Sequence, residues 1–147
     1  MLFRSLDSVE ALKKRSPGLT KNQILVQWMR LNALLKDPHT SLYWKQDSVF
    51  PCWAFEFEEG LCLISAPKEL TSFLGWRITE INGLPVDSIR KQLFPLIGSD
   101  NQSWKKHMIS EFLQNPVILN GLGIIPTVDS ARFTFSSDSG EIGRAHV

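Results

Sequence analysis

The chain has 147 residues, of which 43% are hydrophobic and 21% charged, a composition that excludes a disordered tail and suffices for one core or two small ones. Its 16 basic and 15 acidic side chains leave a net charge of +1 with no long single-sign run, which excludes the electrostatic footprint of a nucleic-acid or acidic-membrane binder. Five Trp and nine Phe supply aromatic bulk for a well-packed core, each worth roughly 1.5–3 kcal/mol when fully buried.

The two cysteines, Cys52 and Cys62, are too few for a disulfide scaffold and lack a metal-ligand spacing. The three histidines, His39, His107 and His146, are too scattered to suggest a metal site, so neither metal nor cofactor is expected. Apolar stretches break well short of the roughly 18 residues that span a bilayer, and no basic-then-apolar leader pattern opens the sequence.

In chain order, Leu6, Val9 and Leu12 fall at helical spacing before Pro17-Gly18 stops the pattern. Thr20 and Gln23 form a T-x-x-Q capping box for a second helix, with Ile24, Trp28, Leu31 and Leu35 along one face and an end at Asp37-Pro38. Together these predict an amino-terminal helical hairpin. Strand character follows in SLYW (41–44) and in WAFEF (53–57), where Trp53, Phe55 and Phe57 alternate with other side chains. Glu59-Gly60 is expected to turn WAFEF into the partner strand LCLIS, with Cys62 opposite Phe57 and Cys52 on the other face.

A short helix over KELTSF leads to Gly75, and WRITEI runs into an Asn82-Gly83 turn. Asp87 is placed as the cap of a helix carrying Ile89, Leu93 and Leu96, limited by Pro95. Ser103 opens a helix with Trp104, Met108 and Phe112; Asn115-Pro116 caps a third that ends at Asn120-Gly121; ARFTF closes the fold as a strand. The class is α+β.

Two stretches resemble a known family. LKDPHTSL (35–42), at a helix end, is similar to the motif that opens the C-terminal-processing (tail-specific) serine peptidases and their tricorn-like and interphotoreceptor-retinoid-binding-like relatives. LGWRITEINGLPVDSI (74–89) resembles the strand, Asn-Gly turn, strand and helix that close the PDZ module of those enzymes. Their order and separation fit as well, and the resemblance covers most of residues 5–135. It implies a helical lead-in over 1–40 and a PDZ-like, partly open β-barrel with flanking helices over 41–140, with a helical insertion at about 99–121. The nucleophile domain that follows in the family is missing, so the resemblance implies the amino-terminal part of a serine endopeptidase, inactive alone, whose partner is a peptide or protein substrate.

The resemblance singles out His39, since the tricorn-like branch places a general base at this point and a neutral imidazole suits removal of a serine proton, whereas the family's Lys-using branch needs no His there. The tricorn-like pattern has a Ser before that His, where this chain has Pro38. The alternative reading makes His39 a cap or turn anchor. The PDZ resemblance makes WAFEF a strand that receives a peptide by strand addition, with Trp53, Phe55, Phe57, Ile89 and Leu93 around the groove. DSVFP before Cys52 has no glycine for a carboxylate-binding loop, which leaves a structural or gating role open beside peptide capture.

Gly121-Leu122-Gly123 imitates a carboxylate loop but lies after the groove helix, so a helix C-cap is expected. TFSSDSGE (134–141) imitates a nucleophile neighbourhood, yet a polar turn is expected because nothing before it supplies a base and oxyanion donors. EIGRAHV (141–147) is what a common sequencing adapter, AGATCGGAAGAGCACACGT, encodes in one frame, and is expected to be an artefact of sequencing.

Overall fold

A computed structural model describes residues 2–37, 39, 40, 42, 49–99 and 101–147. SLYW falls outside the described residues apart from Leu42. Helices α1 (Leu2–Arg15) and α2 (Lys21–Ala33) come first, joined by a 3-10 turn at Ser16–Gly18. Strands β1 (Trp53–Phe57), β2 (Gly60–Ser65), β3 (Arg77–Ile81) and β4 (Leu84–Pro85) follow, then helices α3 (Val86–Leu93), α4 (Gln102–Leu113) and α5 (Pro116–Gly121), and finally strands β5 (Arg132–Ser136) and β6 (Ile142–His146).

Among the described residues all strand pairings are antiparallel, in the order β1-β2-β3-β5-β6 with β4 paired to β3, so that β1 and β6 stand at the two ends of that order. This is an α+β fold whose sheet does not close. No helix among the described residues is long and apolar enough to cross a membrane.

Local chemistry sets the element ends. Thr20 accepts from the Gln23 N–H and the Gln23 side chain accepts from the Thr20 N–H, so the expected capping box is complete. Asn82 and Gly83 both have positive φ, 51° and 81°, the pair a tight I′-type hairpin turn requires. The Asn82 N–H donates to the Arg132 carbonyl and the Arg132 N–H to Asn82 Oδ1, each at 2.8 Å, which ties this turn to the start of β5. Asn115 Oδ1 caps α5 by accepting from the Val117 and Ile118 N–H groups. Leu122 is the C-cap of α5, and Gly123 after it, at φ 75°, donates its N–H to the Asn120 carbonyl, the helix ending that the sequence neighbourhood suggested.

Four expectations are corrected by tertiary context. Helix α2 stops at Ala33, with Lys36 at φ 55°, rather than continuing to Asp37. Its buried side chains are Val26 and Met29, while Trp28 and Leu35 are 46% and 57% exposed, because α5 packs on the other side of the helix. The β1–β2 turn is Glu58-Glu59, so Cys62 faces Phe55 and Gly60 faces Phe57. A two-residue shift keeps each side chain on its face, so Cys62 stays part-exposed, Cys52 is buried, and both thiols are free. Asp87 lies in the first turn of α3 and makes no cap, whereas α4 is capped by Asn101, one position before the helix begins.

One core joins sheet and helices. Leu61, Leu63, Ile78, Ile81, Phe133 and Phe135 point from the sheet toward Ile89 and Leu93 of α3, Ile109 of α4 and Ile118 of α5. Phe73 stacks on Phe135 with centroids 4.7 Å apart, and the lack of a side chain at Gly143 of β6 leaves room for that ring. Across the sheet edge, Arg90 of α3 donates to both carboxylate oxygens of Glu56 on β1 at 2.6 and 2.8 Å and to Asp87 at 2.6 Å.

The approach of α5 to α2 is the tightest helix contact. A Cβ at Gly121 would overlap the Asn22 carbonyl oxygen and Val26 Cγ2. Gly121→Ala is therefore expected to destabilise the fold by about 2 kcal/mol through overpacking against backbone that cannot yield, read as a lower urea midpoint at unchanged m. Removing one partner of the largely buried Glu56–Arg90 pair by Glu56→Ala leaves a cation short of its counter-charge, and is expected to cost about 2 kcal/mol in the same assay.

Candidate functional site

Beyond the end of α2 the chain turns at Asp37, and this turn holds the residue singled out by sequence, His39. Asp37 Oδ1 accepts from the His39 N–H at 2.9 Å and Oδ2 from the Thr40 hydroxyl at 2.6 Å; Asn32 Nδ2 of α2 donates to the Thr40 carbonyl at 2.6 Å. The carboxylate thus serves the backbone of its own turn. The hydrogen bond from Thr40, then that from His39, holds the Asp37 carboxyl below its ordinary value.

The His39 ring is exposed and hydrogen-bonded to no described residue. It lines a cavity of about 820 Å³ together with Asp37, Thr40 and Leu42, the α2 residue Met29, the approach to β1, and α4. A space of this size falls within the range of small-molecule and peptide side-chain sites. Trp53 lines the same cavity, and the β1–β2 register is irregular between Trp53 and Ala54. His39 and Trp53 are therefore brought together.

The other four residues expected around a groove are distributed differently. Phe55 and Phe57 lie on the open face of the sheet, edge to face at 5.1 Å, and Phe57 borders a smaller hollow of about 440 Å³ with Ile64, Leu74 and Gly75. Ile89 and Leu93 are each 0% exposed beneath the sheet. The β1 side chains on the core side of the strand are Ala54 and Glu56, and the Glu56–Arg90 pair bridges strand and helix there.

Nucleophile chemistry finds no assembled partner among the described residues. Ser137 and Ser139 share a hydrogen bond of 2.9 Å in the β5–β6 turn, and the Glu141 N–H donates to Ser137 Oγ, so these hydroxyls organise a hairpin. Burial pushes the Cys52 thiol up to about 11, and burial followed by the neighbouring Glu59 charge raises that of Cys62, the opposite of thiolate activation. No group of three or more potential metal ligands clusters among the described residues.

Sequence reading missed the α4 side of the cavity. Trp104, Met108 and Phe112 were legible as a helix face but not as its wall, since the opposing surface comes from Met29 and Asn32 of α2 with Asp37, His39 and Thr40. Comparison with known proteins turns on architecture. No family profile matches the chain, and no curated protein matches it in sequence. The structure of mature CPAF complexed with lactacystin superposes on all of this chain with a TM-score of 0.69 at 14% identity.

The fold is shared with CPAF.

CPAF is a serine protease similar to the tail-specific proteases, and this chain spans 28% of the CPAF chain. At such identity the likeness concerns the fold alone.

The turn chemistry sets a pH dependence. A carboxylate held below its ordinary 3.8 contributes to the turn above that value, and its contribution is lost as pH falls through the depressed folded value. Carboxyl NMR should follow Asp37 titrating below 3.8, with the His39 amide shift moving in the same step; Asp37→Asn should remove that step while the sheet resonances stay in place.

Proposed function

We propose that this chain is the amino-terminal portion of a serine-type endopeptidase of the tail-specific kind, with a helical lead-in over 1–40 and a PDZ-like unit over 41–140 that carries a helical insertion at about 99–121. The observation that carries this reading is the likeness of the whole chain to a CPAF segment making up 28% of that protease. The D-P-H-T turn and the Ile81-Asn82-Gly83 turn support it in the same order along the chain.

In this reading His39 supplies a general base, or helps position one, at the rim of the cavity, and the nucleophile and oxyanion donors come from a following domain. A positioned base contributes about 10²–10⁴-fold, whereas enzymes reach roughly 10⁶–10¹⁷-fold. The chain alone is accordingly inactive. Residues 141–147 are read as adapter-derived.

A second reading is a peptide-binding module without catalysis. It is favoured by the position of β1 at a sheet edge, where residues 53–57 make no backbone hydrogen bonds to described residues beyond the β2 ladder.

A fluorophosphonate probe and a casein assay decide the first reading. The chain by itself should neither be labelled nor hydrolyse casein above buffer, and the polypeptide extended into its natural downstream reading frame should do both, with loss of hydrolysis on His39→Ala. Labelling of the isolated chain, or a labelled extended protein indifferent to His39→Ala, would contradict the proposed division of labour. Saturable binding of a hydrophobic peptide that vanishes when its terminal carboxylate is amidated would instead support the module.

A further inference from the structure

The turn that carries His39 is shaped from within by one residue and held in place from outside by another. Asp37 shapes it: its carboxylate accepts from the His39 N–H and the Thr40 hydroxyl, and its carbonyl accepts from the Thr40 N–H at 3.2 Å. These bonds reach no more than three positions along the chain, so they travel with the turn and do not decide where it stands. The His39 ring adds no anchor, being exposed and without a hydrogen-bond partner among the described residues.

One bond leads out of the turn. Asn32 Nδ2, in the last turn of α2, donates to the Thr40 carbonyl at 2.6 Å across eight positions of sequence. Among the described residues no other hydrogen bond or ion pair links Asp37, His39 or Thr40 to the rest of the protein. A carbonyl can only accept, so the NH₂ end of the Asn32 amide faces Thr40. Asn32 follows Met29 by three positions on the same side of the helix, and Met29 belongs to the core at 5% exposure. The bond therefore refers the turn to the packed part of α2. The backbone at Gly98 backs onto the same place, where a Cβ would lie 3.1 Å from Ala33 Cα and 3.6 Å from the Asp37 carbonyl oxygen. Asn32, Asp37, His39, Thr40 and Gly98 all border the cavity.

A general base acts only within hydrogen-bond reach of the proton it removes, about 2.6–3.2 Å, and a misplacement of about 1 Å lowers a rate on the order of 100-fold. An imidazole on an exposed turn meets that demand only when the turn has a fixed address on the scaffold. We infer that Asn32 is a positioning residue for His39: its amide holds the Thr40 carbonyl to α2 and so keeps the imidazole where a nucleophile from a following domain can use it. Asp37 sets the form of the turn and Asn32 sets its place. The role toward His39 chemistry rests on the proposed peptidase reading, whereas the anchoring of the turn stands on the geometry of this chain.

Two measurements separate these parts. In the ¹³C,¹⁵N-labelled chain alone, Asn32→Ala should shift the Thr40 carbonyl carbon and lower the heteronuclear NOE of the His39 and Thr40 amides, with the thermal midpoint and the sheet resonances unchanged. Loss of one solvent-accessible hydrogen bond corresponds to a rise of about 5-fold in the released turn. In the polypeptide extended into its natural downstream reading frame, Asn32→Ala should lower kcat for casein by about 5-fold or more at unchanged KM, and Asn32→Gln, which keeps the NH₂ donor, should recover most of both signals. Unaltered Thr40 and His39 resonances in Asn32→Ala would overturn the inference. So would an unchanged kcat in an extended protein whose hydrolysis depends on His39. An extended protein that hydrolyses nothing before any substitution would instead defeat the peptidase reading and the role toward His39 with it, while the spectra of the chain alone still decide whether Asn32 anchors the turn.

Discussion

The close crossing of α5 over α2 is the contact on which the architecture rests. Gly121 brings the backbone of α5 against the Asn22 carbonyl, and Asn22 Nδ2 donates to Asn120 Oδ1 at 2.9 Å across 98 residues of sequence. Asn120 turns its own Nδ2 to the carbonyls of Ile125 and Pro126, so one polar relay joins the lead-in helices to the segment that delivers β5. A helix crossing this tight admits no side chain between the two backbones, which fixes their separation. With α5 held there, the preceding Gln114-Asn115 junction and α4 are held too, and the cavity lies between that assembly and α2.

The sheet contributes rigidity from the opposite side. Phe133 and Phe135 of β5 and Leu61 and Leu63 of β2 lie almost wholly out of solvent, and Phe50 meets Phe133 edge to face at 5.7 Å. The same residue, Phe50, hydrogen-bonds through its N–H to Gln114. The route into β1 is thereby tied both to the aromatic core and to the end of α4, so that side of the cavity wall is set by packing.

What the sequence disclosed follows the range of the interactions concerned. The Thr20 capping box, the Asn82-Gly83 turn, the Asn115 cap and the strands WAFEF, LCLIS, RITEI and ARFTF depend on neighbours a few residues away, and those were legible. The buried face of α2 was not, because Val26 and Met29 are selected by elements from the far end of the chain. Alternation in β1 grouped Trp53, Phe55 and Phe57 correctly as alternating side chains, but period-2 spacing does not say which set faces the core. The core side holds Ala54 and Glu56, and a register irregularity separates Trp53 from the two Phe side chains. Motif reading located His39, yet the apolar wall opposite it arises from tertiary juxtaposition and has no local signature.

The reciprocal bonds between Asn82 and Arg132 join residues 50 positions apart, and helices α3, α4 and α5 lie between them in the sequence. During synthesis β3 therefore leaves the ribosome long before its neighbour β5, and waits with one hydrogen-bonding side bare while α3, α4 and α5 emerge. Contacts of such sequence separation slow folding and prolong the exposure of an incomplete sheet. A nascent chain paused within these helices would present that unpaired strand to other chains, so the interval between translating β3 and β5 is the period in which this fold is most open to misassembly.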